Sequence, residues 1–131
     1  MKILILDDAD VRHKYFAKYY KCESIQHVKT LKEFVKHLDL GSPWDLIHLD
    51  HDLGDFTDGD TFVDSYGAIK EYNGQHAAQM IIDLSDDMLP KQVIIQSVNP
   101  EGARRIKQII QARGIPVVWH PFVFDNDKNN F

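Results

Sequence analysis

A single cysteine, Cys22, in 131 residues excludes an intramolecular disulfide, and with it the stapled scaffolds of small secreted domains. A reducing, cytoplasmic setting is expected. A basic excess is missing too: 15 Lys and Arg stand against 20 Asp and Glu, for a formal net charge of −5. An extended nucleic-acid groove needs a basic face and is therefore not expected; a small phosphate-bearing substrate or one RNA end remains compatible. The apolar run in MKILIL is far too short for a signal peptide or a membrane span, so no membrane partner is expected. Internal repeats and low-complexity tracts are absent. A chain of this length is expected to fold as one domain that needs no structural metal, here residues 1–124 followed by a polar tail, 125–131.

What is present is an alternation of short apolar runs with amphipathic stretches. Lys2 to Leu6 is continuous and apolar, as a strand buried on both faces requires. Val11, Tyr15, Phe16 and Tyr19 then recur at helical spacing. Ser24 to Lys29 is a weaker strand. Thr30-Leu31-Lys32-Glu33 has the spacing of a capping box, and Leu31, Phe34, Val35 and Leu38 give the helix it opens one apolar face. Gly41-Ser42-Pro43 stops that helix, and Trp44 to Asp50 is the third strand. His51 to Tyr72 is long, rich in Asp and Gly, and reads as a functional loop. Asn73-Gly74 precedes a helix carrying Ala77, Met80, Ile81 and Leu84, and Val93 to Ile95 is the next strand. Asn99-Pro100 reads as an N-cap with proline at the first helical position. Ala103, Ile106, Ile109 and Ile110 face inward, Gly114 suits the residue after the helix cap, and Ile115 to Trp119 is the last strand.

Strand and helix thus alternate five times, with the last helix missing or replaced by the tail. That order argues for a three-layer α/β domain, a parallel sheet between helices. A flavodoxin-like strand order, 2-1-3-4-5, sets strands 2, 1, 3, 4 and 5 side by side, and ligands of such sheets bind beyond the strands' C-terminal ends. Those ends carry Asp7 and Asp8, Asp50, Ser97, and His120 before Pro121.

Converging carboxylates repel one another unless a cation joins them. Magnesium takes oxygen ligands, so Asp7, Asp8 and Asp50, with Asp52, form a candidate site for a divalent metal ion. Ser97 offers a hydroxyl to a phosphate oxygen, and Asn99 opens a helix whose N-terminus attracts anions. His120 and His51 can carry protons near neutral pH. His51, Asp50 and Asp52 also suit a transition metal, whereas His48 reads as a buried, hydrogen-bonded core histidine. Asp52, Asp55, Asp58 and Asp60 do not have the spacing of an EF-hand calcium loop.

The pattern resembles the response-regulator receiver fold, which carries an acidic pair after strand 1, an aspartate after strand 3, Ser or Thr after strand 4, and Lys-Pro after strand 5. Two departures, His120 in place of the lysine and the loop opening at His51, resemble the cyclic-phosphate processing receiver domains more closely. The matching strings are Leu49-Asp50-His51-Asp52-Leu53-Gly54-Asp55, Gly74, and Ser97-Val98-Asn99-Pro100-Glu101-Gly102-Ala103. Gln96 stands where that family commonly has a histidine. The resemblance covers nearly the whole chain. It implies metal-dependent hydrolysis or ring opening of a cyclic phosphate, on a 2′,3′-cyclic RNA end or a cyclic nucleotide. Asp7, Asp8, Asp50 and Asp52 would hold the ion, Ser97 and Asn99 the phosphate, and His51, His120 and Asp50 would serve the chemistry. The alternative is a phosphoacceptor or degenerate receiver that signals or binds a partner through Asp50.

Overall fold

The computed structural model describes residues 1–21, 24–50, 73–97 and 99–120, and the backbone of 61–63 and 69–71. Five parallel strands form the sheet: β1 (Lys2–Leu6), β2 (Ser24–Val28), β3 (Leu46–Leu49), β6 (Gln92–Ile95) and β7 (Val117–Trp119). Their order is β2-β1-β3-β6-β7, the 2-1-3-4-5 arrangement expected of the five βα units. Two further strands, β4 (Thr61–Val63) and β5 (Ile69–Glu71), pair antiparallel within the segment that the sequence presents as a loop. Three residues each is too short for a period-2 pattern to stand out.

The helices are α1 (Asp10–Tyr19), α2 (Leu31–Gly41), α3 (Gly74–Ile82) and α4 (Pro100–Ala112). Side chains of β1 alternate between two cores, as the pleat demands. Leu4 and Leu6 join Leu31, Phe34 and Leu38 of α2, Ala77, Ala78 and Ile81 of α3, and Ala103, Ile106 and Ile110 of α4. Ile3 and Ile5 face the other way, onto Phe16 of α1 and Leu46. Among the described residues three helices cover one face of the sheet and α1 covers the other. Each fully buried large side chain contributes about 1.5–3 kcal/mol, and truncating Phe34 to alanine would cost about 3–5 kcal/mol.

Local signals explain the boundaries, with three adjustments. Thr30 caps α2 by accepting from Glu33 N–H at 3.2 Å, but the Glu33 carboxylate accepts from Lys29 N–H, one residue before the cap, so the expected capping box is only half made. The reciprocal box sits instead on α3, between Asn73 and His76. Leu84 lies beyond the end of α3 and packs against the core from there. On α1 the inward face is His13 and Phe16, while Val11 and Tyr19 are exposed, so the apolar spacing of that helix marks its buried stripe imperfectly. Gly114 has φ +83°, the left-handed geometry that ends α4 with a glycine. Among the described residues no helix is long and apolar enough to cross a membrane.

Candidate functional site

Each ladder runs one residue beyond its strand, and that levels the site. The N–H of Asp7 donates to Val28 O at 3.1 Å, Asp50 to Leu6 O at 3.0 Å, Gln96 to Leu49 O at 2.9 Å, and His120 to Ile95 O at 2.8 Å. Four adjacent chain ends are thereby fixed at the carboxyl edge of the sheet by backbone bonds alone.

Asp7, Asp8 and Asp50 each present an oxygen there, all within 4.8 Å of one another. Asp7 and Asp50 are buried and Asp8 is half-buried. The donor set, three carboxylates with hard oxygen ligands, fits magnesium or a similar divalent ion. Burial and the neighbouring Asp7 charge raise the pKa of Asp8, as expected of crowded carboxylates.

Arg12 lies across this cluster. Its Nε donates to Asp7 Oδ2 at 2.6 Å and one terminal nitrogen to Asp7 Oδ1 at 2.8 Å, a bidentate pair. The same terminal nitrogen reaches Asp8 and Asp50 at 3.4 Å. Partial burial works against the guanidinium charge, but the bonds to Asp7 and the nearby Asp50 and Asp8 outweigh it and push its pKa up. The motif reading does not include Arg12. Its signal was the Asp8–Arg12 spacing, four residues apart across the first turn of α1.

Asp7 is the most heavily bonded of the three. Besides Arg12, its carboxylate accepts from Ala9 N–H at 2.9 Å and from Gln96 Nε2 at 2.7 Å. Four bonds fill the acceptor positions of a carboxylate. Its carbonyl oxygen accepts from His13 Nε2 at 2.7 Å, which leaves His13 Nδ1 to accept from His27 Nδ1 at 2.7 Å.

Gln96 is buried, and its orientation follows from its neighbours. Because Nε2 donates to Asp7, Oε1 accepts, and the partner 2.8 Å away is His48 Nδ1–H. His48 Nε2 then accepts from the Tyr20 hydroxyl at 2.9 Å. His48 is therefore the hydrogen-bonded core histidine expected. Burial pushes its pKa down to about 4; Gln96 and Asp7 oppose that shift and nearby His120 adds to it.

Ser97 is buried directly after Gln96. Its Oγ accepts from Asn99 N–H at 3.0 Å, and a hydroxyl can donate as well as accept. Trp119 Nε1 donates to Ser97 O at 2.8 Å and pins that turn to the end of β7. Asn99 caps α4, accepting from Gly102 N–H at 3.0 Å. The structure thus brings together Asp7, Asp8, Asp50, Ser97, Asn99 and the backbone of His120 at one edge. His51, Asp52 and Pro121, the rest of the acidic loop to residue 60, and the boundary at 124 with the tail 125–131 lie outside the described residues.

Comparison with known proteins agrees with this arrangement. The model of the cyclic-phosphate processing receiver domain matches residues 2–112. No curated protein matches the chain significantly. Among solved structures, the signal receiver domain of a putative LuxO repressor protein from Vibrio parahaemolyticus is 20% identical, with a TM-score of 0.60, over 93% of this chain and 79% of that one. The N-terminal domain of a response regulator/sensory box/GGDEF three-domain protein from Carboxydothermus hydrogenoformans is 21% identical, with a TM-score of 0.59, over 91% and 78%. A response regulator from Burkholderia pseudomallei, solved with a phosphorylated aspartic acid, a calcium ion and citrate, is 15% identical, with a TM-score of 0.59, over 93% of this chain and 61% of that one. At these identities the likeness is one of fold.

Proposed function

The chain belongs to the cyclic-phosphate processing receiver domain family, and from that premise we propose that it opens a cyclic phosphodiester by metal-assisted hydrolysis. The observation that carries the reading is the three-carboxylate cluster at the carboxyl edge of the sheet, where a buried serine hydroxyl accepts from Asn99 N–H. Asp7, Asp8 and Asp50 would hold the ion, and Asp7 also holds Arg12 in place through its bidentate bond. A bound divalent ion would supply Lewis-acid polarisation of the phosphate.

The chain's own residues do the rest. Ser97 donates its hydroxyl proton to a non-bridging oxygen, and Asn99 fixes that hydroxyl through its N–H. Burial of Ser97 and Asp50 keeps competing water away, so each bond to the developing charge counts for more. Arg12 supplies positive charge that can turn from Asp8 and Asp50 toward a phosphate oxygen while keeping its bidentate bond to Asp7. His51 and His120 divide the proton transfers, one taking a proton from water and one protonating the departing sugar oxygen. Asp52 would add a further oxygen ligand to the ion. A 2′,3′-cyclic RNA end or a cyclic nucleotide is the substrate class, and magnesium is the ion that the oxygen set favours.

A second reading rests on the position of Asp50 at the end of β3, buried and within reach of Arg12. There it would accept a phosphoryl group and signal through it, or bind a partner without any transfer. A phosphodonor such as acetyl phosphate followed by mass spectrometry separates these: a stable adduct on Asp50 supports signalling. Incubation with 2′,3′-cyclic nucleotides, cyclic dinucleotides and cyclic-ended RNA, with magnesium or with chelator, tests the leading reading. Magnesium-dependent ring opening supports it; a folded protein that opens none of them is no such enzyme.

A further inference from the structure

A cavity of about 240 Å³ opens between the first turns of α3 and α4. It is smaller than the roughly 300–1,000 Å³ of pockets for drug-sized ligands, and so suits one ring system rather than a whole cofactor. Among the described residues its lining is Asn73, Gln75, Asn99, Glu101, Gly102 and Arg105. Three carboxamides, one carboxylate and one guanidinium make a wall of mixed donors and acceptors. That mixture differs from an anion site, which would gather donors alone. It also differs from a lipid or peptide pocket, which would be apolar.

Carboxamides, carboxylates and guanidinium groups are the side chains that read base edges. Asn and Gln pair with adenine, Glu accepts from the cytosine amine, and Arg pairs with guanine or stacks on a ring. The Glu101–Arg105 pair, 2.9 Å apart one turn from each other, offers an acceptor and a planar cation on the same wall. Asn73 and Gln75 face it from α3 and are fixed to each other, Gln75 N–H donating to Asn73 Oδ1 at 2.8 Å.

Position ties the cavity to the phosphate chemistry. Asn99 belongs to both: it lines the cavity, and its N–H donates to Ser97 Oγ at 3.0 Å. A phosphate held at Ser97 therefore has the cavity on the adjoining turn of chain.

We infer that the α3–α4 cavity is a nucleobase subsite, so that the substrate is a nucleoside cyclic phosphate recognised at both ends, with Gln75, Glu101 and Arg105 setting base preference. The inference rests on the reading of the acidic cluster as a phosphate site. The alternative use of these residues is helix capping and a solvated ion pair, which predicts indifference to the base.

The test compares binding of the four nucleoside 2′,3′-cyclic monophosphates with that of a base-free methyl riboside 2′,3′-cyclic phosphate, read by amide shifts at Asn73, Gln75 and Gly102. The wild type should bind at least one nucleotide about tenfold more tightly than the base-free ring, the selectivity of one good side-chain–base pair. In Gln75→Ala and in the double variant Glu101→Ala/Arg105→Ala that ratio should fall toward one. These positions are half-buried or exposed, so the variants should fold; a superimposable far-ultraviolet spectrum checks it. Base-dependent shifts without turnover would leave the subsite standing while removing the hydrolytic reading. Equal affinity for the base-free ring and all four nucleotides, or no shift at those three amides, overturns the inference even if the enzyme turns over.

Discussion

Gln96 donates to Asp7 at 2.7 Å, tying the end of β6 to the end of β1 beneath the acidic cluster. The bond is one link in a buried chain: Tyr20 hydroxyl to His48, His48 to Gln96, Gln96 to Asp7. Every donor in it points toward the carboxylate. Gln96 thus has a defined task at a position where the family commonly carries histidine. Its amide both donates and accepts without carrying charge, and so joins a neutral imidazole to a carboxylate.

Replacing Gln96 by leucine removes both bonds and leaves His48 and Asp7 each short of a partner. A buried polar group left unsatisfied costs about 1–3 kcal/mol, so with two such groups the Gln96→Leu variant should lose roughly 2–6 kcal/mol. Urea denaturation with an unchanged slope would report this as a lower midpoint. A midpoint equal to that of the wild type would show that the chain of bonds contributes nothing.

Arg12 is the counter-charge of the cluster, and a cation entering it would have to compete with that charge. Removing it, as in Arg12→Ala, should lower the stability of the metal-free protein by about 2–4 kcal/mol, because buried Asp7 and Asp50 lose their cation. Added magnesium should then raise the melting temperature of the variant more than that of the wild type. Identical magnesium responses would mean that Arg12 and the ion do not share the site.

Burial holds His48 neutral, its pKa down at about 4 against an ordinary 6.5. As pH falls below about 6.5 the unfolded chain takes up a proton that folded His48 refuses until about pH 4. Stability should therefore decline through that window by up to about 3 kcal/mol and level off below it. His48→Gln should flatten this part of the profile, whatever it does to the baseline. A variant with the same pH dependence as the wild type would place the titration on another group.

His120 sits at the end of β7 with its backbone bonded to β6. If His120 carries a proton in the proposed ring opening, His120→Ala should lower kcat by about a hundredfold while leaving the urea midpoint nearly unchanged. Added imidazole should restore part of the rate. An equal loss in kcat and stability, with no rescue, would assign the residue to structure alone.

The sheet and the strand-end acids were legible because both rest on local rules. Continuous apolar runs place β1, β3 and β6, and the residue after each run falls at the carboxyl edge. Asp7 and Asp50 needed nothing more, and Ser97 lies one residue further on, after Gln96. Contacts between distant side chains left no comparable mark. The Tyr20–His48–Gln96 chain joins residues 28 and 48 positions apart, and His13 meets His27 across α1 and β2. Arg12 was half visible, through its spacing from Asp8. Its bidentate grip on Asp7 depends on how α1 leaves the sheet, which periodicity alone does not report.

If the carboxylates around Asp50 serve the opening of a cyclic phosphate, turnover depends on the Asp50 side chain. Phosphorus NMR of 2′,3′-cyclic nucleotides with magnesium tests it most directly, comparing the wild type with Asp50→Asn at matched folding. The cyclic resonance should give way to a phosphomonoester with the wild type, and the rate should fall at least about a hundredfold in the variant. Equal rates in the two proteins, or a cyclic resonance that persists with the folded wild type, would contradict it.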